Sequence, residues 1–428
     1  MPKNIHSPTS HPEGTARSWW APTAALLLAG LAATLVACGG GGGSSAGVGT
    51  GGTGSFAVGT ISGFGSVIVN GVRYDDSRAT ILDDDDNSVS SSSLSIGQVV
   101  ELRGEVSDDG LTGTASSIAY YSALKGPVTA VNVGAGTVTV FGQVVNVTAT
   151  TLFEDVSGLA ALAVGNVIEV YGLPDASGAI TATRIELEAT TISGFGGDYR
   201  IRGVVSGLVA TSPGQRFTVG TVTVQTDGAT SIDGTIADGA FVKVRLDKTA
   251  IAANTYTAER VKVKNRVYES GVSKAEVEGL ISEFTVATAP FKVNGYPVQL
   301  DTTVTYEDGA VGNLADGVRI EAKGVVTNGV LLVRKVEFED EDNDGGDDGN
   351  DAPFEFHGTA TCSTTPCGSP TGSFQVRTDV TVQYDATTHF EDGLTAATLN
   401  GARVEVKAIA QSGSGGTTLL ATRIELDD

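Results

Sequence analysis

The chain has 428 residues, 57 of them glycine, and its 50 acidic against 27 basic side chains set a net charge of −23. That balance leaves no broad basic field and argues against electrostatic binding of nucleic acid. If residues 1–37 are removed, as argued next, His357 and His389 are the only histidines left and no tryptophan remains, too little for a histidine-rich metal centre or for stacking on a sugar ring.

Residues 1–20 are polar with a weak basic bias (Lys3, Arg17), and an apolar run of small residues and leucine follows from Ala21 to Ala37. The run is short for a membrane-spanning helix and a cleavage-type pattern follows it, so residues 1–37 read as a secretory signal peptide. It ends Leu35-Val36-Ala37-Cys38, which resembles the lipobox of bacterial lipoproteins. The resemblance implies lipidation of Cys38, which becomes the first mature residue and is held in the membrane by about 0.8 kcal/mol per buried CH₂. Gly39, where an aspartate would signal inner-membrane retention, implies the outer membrane. The competing readings are an uncleaved anchor and a secreted chain with free Cys38. Residues 38–55, almost all Gly, Ser, Thr and Ala, form a flexible tether reaching roughly 20–25 Å.

The rest of the chain repeats itself five times. A glycine-bearing strand opens each copy (Gly59, Gly126, Gly203, Gly279, Gly358), at spacings of 67, 77, 76 and 79 residues. A second strand ends in a tight turn such as Asn70-Gly71 or Asn294-Gly295, where Asn-Gly supplies the positive φ of a hairpin. A third strand leads into an aromatic–acid corner: Phe153-Glu154-Asp155, Tyr306-Glu307-Asp308 and Phe390-Glu391-Asp392, with Ile232-Asp233 and Leu82-Asp83 as weaker copies. Acids ahead of a Leu/Ala stretch such as Leu159–Leu162 predict the N-cap of a one- or two-turn helix. The fourth strand reads GQVVELRG, GNVIEVYG, GAFVKVRL, GVRIEAKG and GARVEVKA. Its apolar–charged–apolar alternation places Glu101, Glu169, Lys243, Glu321 and Glu405 on a wet face. The fifth strand has a three-residue step inside a two-residue period (Ala115/Ile118/Tyr120 and its equivalents), which predicts a β-bulge.

Three strands, a short helical turn and two strands are the element order of the five-stranded OB-type barrel. The expected architecture is all-β: a tandem array of five small OB-like barrels after a signal peptide and flexible linker. The repeats span residues 56–122, 123–189, 200–264, 275–339 and 353–428, with an acidic linker at 340–352. These motifs resemble the bacterial family of unknown function DUF5666 over nearly the whole mature chain. The third copy is the most divergent, with Leu246 where a glycine is expected, and the resemblance brings no activity with it. Barrels of about 65 residues have thin cores, so they must pack side by side or lean on flanking segments. Thr190–Tyr199 repeats the string Ile-Ser-Gly-Phe-Gly of Ile61–Gly65 and is expected to pair as an extra strand.

Few residues offer chemistry. Asp340, Asp342, Asp344, Gly345, Asp348 and Asp351 fit the spacing of a calcium loop, with Asp351 in the closing position. A solvated acidic linker accounts for the same letters, since Asp347 sits where an apolar anchor belongs. Asp83–Asp86, followed by Ser88–Ser93, reads as a disordered charged insertion. Cys362 and Cys367, with four residues between them in CSTTPC, read as a disulfide stiffening a hairpin tip, with redox chemistry as the alternative. The corners read as a ring plugging each barrel with an acid capping the turn, since nothing singles out one carboxylate pair of glycosidase type. His389 lies near Glu391 and Asp392, but no nucleophile elbow accompanies it. Two functional expectations follow. The first is a non-enzymatic, lipid-anchored envelope protein that presents barrels to an envelope protein or polysaccharide. The second is an envelope hydrolase or calcium-dependent enzyme using acidic loops.

Overall fold

The computed structural model describes residues 54–108, 110–174, 179–338, 354–364, 367–377, 380–413 and 416–427. The described residues are strands, turns and single 3₁₀ turns, with no α-helix among them. Repeat 4 shows the unit most plainly. Its strands are Val272–Ser282, Phe291–Val293, Tyr296–Glu307, Arg319–Thr327 and Val330–Phe338. The first three pair antiparallel in order, the third pairs in parallel with the fifth, and the fifth returns through the fourth to the first. This circuit, 1-2-3-5-4-1, closes a five-stranded barrel. Repeat 2 closes identically. Repeats 1, 3 and 5 do so with the third strand broken in two, as in Val222–Gln225 and Ser231–Asp233.

Two local devices bend these sheets. The fifth strand carries an unpaired residue at the same point in every copy: Ser116, Thr183, Glu259, Arg334 and Thr422 lie between residues that pair with consecutive positions of the fourth strand. These are the bulges that the three-residue step predicts. The opening glycine is the second device. A Cβ on Gly59 would overlap the Asn70 side chain, one on Gly279 the Asn294 side chain, and one on Gly126 the Phe141 ring. The residue that begins each of these hairpin turns therefore folds down onto the opening strand. Asn70 and Asn294 adopt φ of 53° and 48°, and their amides donate to the carbonyls of Val58 and Glu278. Phe141 holds the same left-handed conformation at φ 55°. Its ring meets Tyr199 and Tyr256 of repeat 3 edge-on, at 5.4 and 5.2 Å.

Four expectations need correction. The face of the fourth strand expected to be wet is covered at three of its five charged positions, where Glu169, Lys243 and Glu321 are buried. The predicted helices are single 3₁₀ turns (Ser91–Ser93, Leu159–Ala161, Val311–Asn313), and Gly158 and Ala310 cap the last two without an acidic side chain. The corner aspartates Asp155, Asp308 and Asp392 instead occupy the left-handed region at φ 53–58° and turn the chain. Residues 192–194 make a 3₁₀ turn rather than a strand, and Phe195 stacks on Tyr199 at 5.8 Å. Asp83–Asp86 is ordered: Asp83 Oδ1 accepts from the amides of Asp85 and Asn87, both at 2.8 Å, between short strands Thr80–Leu82 and Ser88–Val89.

The thin cores are enlarged by fusion. Repeats 1 and 5 share one apolar cluster that includes Tyr74, Leu102, Phe356 and Phe374. Repeats 2 and 3 share another, and Phe56 and Val58 of repeat 1 enter the core of repeat 4. Strand pairing also crosses between barrels. The opening strand of repeat 1, Gly54–Phe64, runs parallel to the opening strands of repeats 4 and 5, and those of repeats 2 and 3 touch at Leu124↔Ile201. Such pairing covers strand edges that a lone small barrel would leave to solvent.

Candidate functional site

The densest charge constellation lies where repeats 1 and 3 meet. In repeat 3 the outward residues of three neighbouring strands are nearly all cationic. Arg200 pairs in register with Arg245, and Arg245 with Arg260; Arg202 pairs with Lys243, and Lys243 with Lys262. Lys264 lies two residues further along. Adjacent strands are about 4.8 Å apart and same-face residues about 7 Å, so the side chains form a grid. Like charges at such spacing repel unless an anion lies over them.

The aspartate run of repeat 1 supplies it. Asp84 is buried, with oxygens 2.5 Å from Arg202, 3.2 Å from Lys243 and 3.5 Å from Arg200. Asp85 reaches Arg200 at 2.5 Å and Arg245 at 3.1 Å, and Asp86 reaches Lys262 at 2.6 Å and Lys264 at 3.2 Å. Burial alone would raise the Asp84 carboxyl, but Arg202, Lys243 and Arg200 outweigh it and hold it below the usual carboxylate range. Lys243 is pushed below its ordinary value by burial, and Arg202 pushes the same way. Sequence reasoning missed this face. Its trace was present, because Lys243 stands where the other four copies carry glutamate.

Beside this contact is a cleft of about 330 Å³ whose walls come from repeats 1, 2 and 3, among them Asp83, Tyr120, Glu154, Tyr171 and Arg200. Carboxylate oxygens of Glu169, Glu186 and Glu188 lie within 4.8 Å of one another there. The protein itself supplies the countercharge: Lys125 Nζ is 2.6 Å from Glu169 and 2.7 Å from Glu188, while Arg184 binds Glu186 at 2.5 Å and also Glu154. Burial pushes the Glu169 carboxyl up to about 7 despite Lys125.

A second group, Glu355, His357 and Glu405, sits where repeat 5 meets repeat 1. His357 bridges Glu355 at 2.7 Å and Asp427 at 3.0 Å, and Arg73 of repeat 1 lies 3.1 Å from its Nδ1. Burial alone would lower His357, but Glu355 and Asp427 raise it above its ordinary value. The hydrogen bond from His357, helped by Lys407 at 2.5 Å, brings Glu355 down to about 2. Here too the protein supplies its own countercharge, with Lys407 3.6 Å from Glu405 and Arg73 3.5 Å from Asp427.

The remaining candidates disperse. Cys362 and Cys367 are joined, with Cα atoms 5.5 Å apart. The corner glutamates pair with the bulged fifth strand: Glu154 with Arg184, Glu307 with Lys335 and Glu391 with Arg423. Phe153 is buried, while Tyr306 and Phe390 are half-buried at the rims of their cores. His389 is exposed. Cys38 and the proposed calcium ligands Asp340, Asp342, Asp344, Asp348 and Asp351 lie outside the described residues.

The profile of the family "Domain of unknown function (DUF5666)" matches five times, at residues 57–119, 125–186, 202–262, 278–337 and 368–425. A search of curated proteins found no match. Among solved structures, "drosophila Unr CSD456" is similar at 13% identity, over 53% of this chain and 96% of that one, with a TM-score of 0.14. A superposition that loose carries no argument about fold or role.

Proposed function

This chain belongs to the DUF5666 family, whose domains have no assigned activity, and we propose that it is a non-enzymatic, lipid-anchored protein of the bacterial cell envelope whose five barrels act as one binding or structural body. One observation carries the reading: most of the clustered ionisable groups are spent on one another, some across repeat boundaries, as in Asp84–Arg202 and Arg73–Asp427, and others within a repeat, as in Lys125–Glu169. A catalytic carboxylate needs access to substrate, and a general acid–base pair needs a partner that is not already locked. The lipobox-like Leu35–Cys38 and the Gly/Ser tether support attachment to the outer membrane. An envelope protein or polysaccharide is the expected partner class. Shared cores also change how repetition would serve binding. Barrels that differ in surface charge and are fused through their interiors would present unequal faces in fixed relation, not five interchangeable sites.

The test is metabolic labelling with radioactive palmitate, followed by membrane fractionation and protease shaving of intact cells. The wild-type chain takes up label and sediments with the outer membrane, and Cys38→Ser abolishes both. Label-free wild-type protein, or hydrolytic activity lost on substituting one carboxylate, would overturn the proposal.

A further inference from the structure

The cation grid of repeat 3 is neutralised unevenly: its inner arginines also feel Glu101, Glu169 and Glu188 of the neighbouring repeats, and its outer members have fewer carboxylates beside them. Seven cations (Arg200, Arg202, Lys243, Arg245, Arg260, Lys262, Lys264) face Asp84, Asp85 and Asp86, with Asp198 beside Arg245 at 3.4 Å and Asp233 in register with Lys262. The grid has two halves. Arg202 and Lys243 are each 8% exposed and lie beneath Asp84. Arg245, Lys262 and Lys264 are 25–31% exposed. Arg260 is exposed and has no carboxylate partner among the described residues. A narrow crevice runs between the halves, lined by Asp85, Asp86, Lys243, Arg245, Arg260 and Lys262. In a chain of net charge −23, such a concentration of positive charge stands out against the overall field, and its members repel one another wherever no anion lies over them.

We propose that this outer half, Arg245, Arg260, Lys262 and Lys264, is a binding site for an oligo-anion bearing phosphate or carboxylate groups. In this reading Asp86 is its resident intramolecular occupant. The geometry supports displacement there and not further in. Asp86 is 39% exposed and holds two flexible lysines, whereas Asp84 is 6% exposed and clamped by three cations. An incoming anion can replace the Asp86 carboxylate on Lys262 and Lys264 and reach Arg260, while Asp84 keeps the barrels joined. Neighbouring cations of the grid stand about 5–7 Å apart, so an anion carrying several charged groups can reach more than one of them at once. The inference deepens the binding role above and rests on it. Palmitate labelling of Cys38, read separately, distinguishes its failure from failure of the envelope reading.

The experiment is titration calorimetry on the full chain in non-ionic detergent at low salt, with inorganic tripolyphosphate and with oligogalacturonate as probes. Binding of either supports the site, and the tighter one identifies phosphate or carboxylate chemistry. Asp86→Asn should tighten binding roughly 1.5- to fivefold, the range of one exposed ion pair. Lys262→Gln with Lys264→Gln should weaken it tenfold or more, and added salt should weaken it in the wild type. All three substitutions are at partly exposed positions, and circular dichroism checks that each variant remains folded. No binding of either probe to wild type or Asp86→Asn, or equal binding by the lysine variant, overturns the site. Unchanged affinity in Asp86→Asn overturns the role of Asp86 as occupant.

Discussion

Asp84→Asn preserves the side chain's volume while withdrawing one negative charge from among Arg200, Arg202 and Lys243. Arg202 and Lys243 are too buried to be rehydrated where they stand. Removing one partner of a buried ion cluster costs about 3–5 kcal/mol. Two features place the expected cost near the lower end, about 3 kcal/mol. Asp85 remains 2.5 Å from Arg200 and 3.5 Å from Lys243. Lys243, already pushed down by burial and Arg202, can shed its proton. Urea denaturation followed by far-UV circular dichroism reads the difference, and comparing pH 7 with pH 9 tests the mechanism. At the higher pH Lys243 neutralises more readily, so the penalty should shrink. The acid side has a definite sign as well. The native pKa of Asp84 is depressed, so its contribution is complete above the ordinary 3.8 and is lost as pH falls through its lower native value. Wild type and variant should therefore converge in strong acid. A penalty below about 1 kcal/mol at pH 7, the size of a surface pair, would refute the view of this contact as a buried latch.

Gly63→Ala should loosen repeat 1 from repeat 5 by about 1–3 kcal/mol, because the added Cβ would overlap the Glu355 carbonyl oxygen where the two opening strands pair; limited proteolysis and thermal unfolding would show it. His357 has a raised native pKa, so its contribution is complete below the ordinary 6.5 and lost as pH rises through the native value. His357→Gln should flatten the slope of a stability–pH profile in that window. Phe141→Ala should cost about 3–5 kcal/mol, since the ring fills the joint between repeats 2 and 3, measured by chemical denaturation. Reduction of Cys362–Cys367 opens a loop of sequence separation 5 and should cost roughly 2 kcal/mol. Hydrogen exchange should confine that effect to repeat 5.

Asp83–Asp86 shows why a local reading of charge fails. Four consecutive aspartates repel one another in an isolated loop, and the expectation of disorder follows directly. Lys262 and Lys264 lie more than 170 residues away, and nothing in the spacing of either segment announces that they meet. The substitution of Lys243 for glutamate in copy 3 was a visible mark, but its meaning depends on an anion brought from another barrel. The corner acids were misjudged in a milder way. Their recurrence was apparent, yet the glutamates pair with a strand neighbour and the aspartates turn the chain, and neither caps a helix.

The barrel unit was legible because its causes are short-range. The two-residue period, the three-residue step at the bulge and the glycine facing the hairpin residue all act within about 70 residues and recur in every copy or most, and copies 1 and 4 add Asn-Gly turns. How the barrels associate was not legible, because association depends on which outer surfaces come together. Fusion of the cores, parallel pairing of the opening strands and insertion of an aspartate loop into a cation grid join residues far apart in the chain, as in Asp84–Arg202, Gly54–Val272 and Gly63–Glu355. Apolar edges and opposite charges can satisfy one another in many arrangements, and only the packed body selects among them by burying Phe56, Phe141 and Asp84 at once.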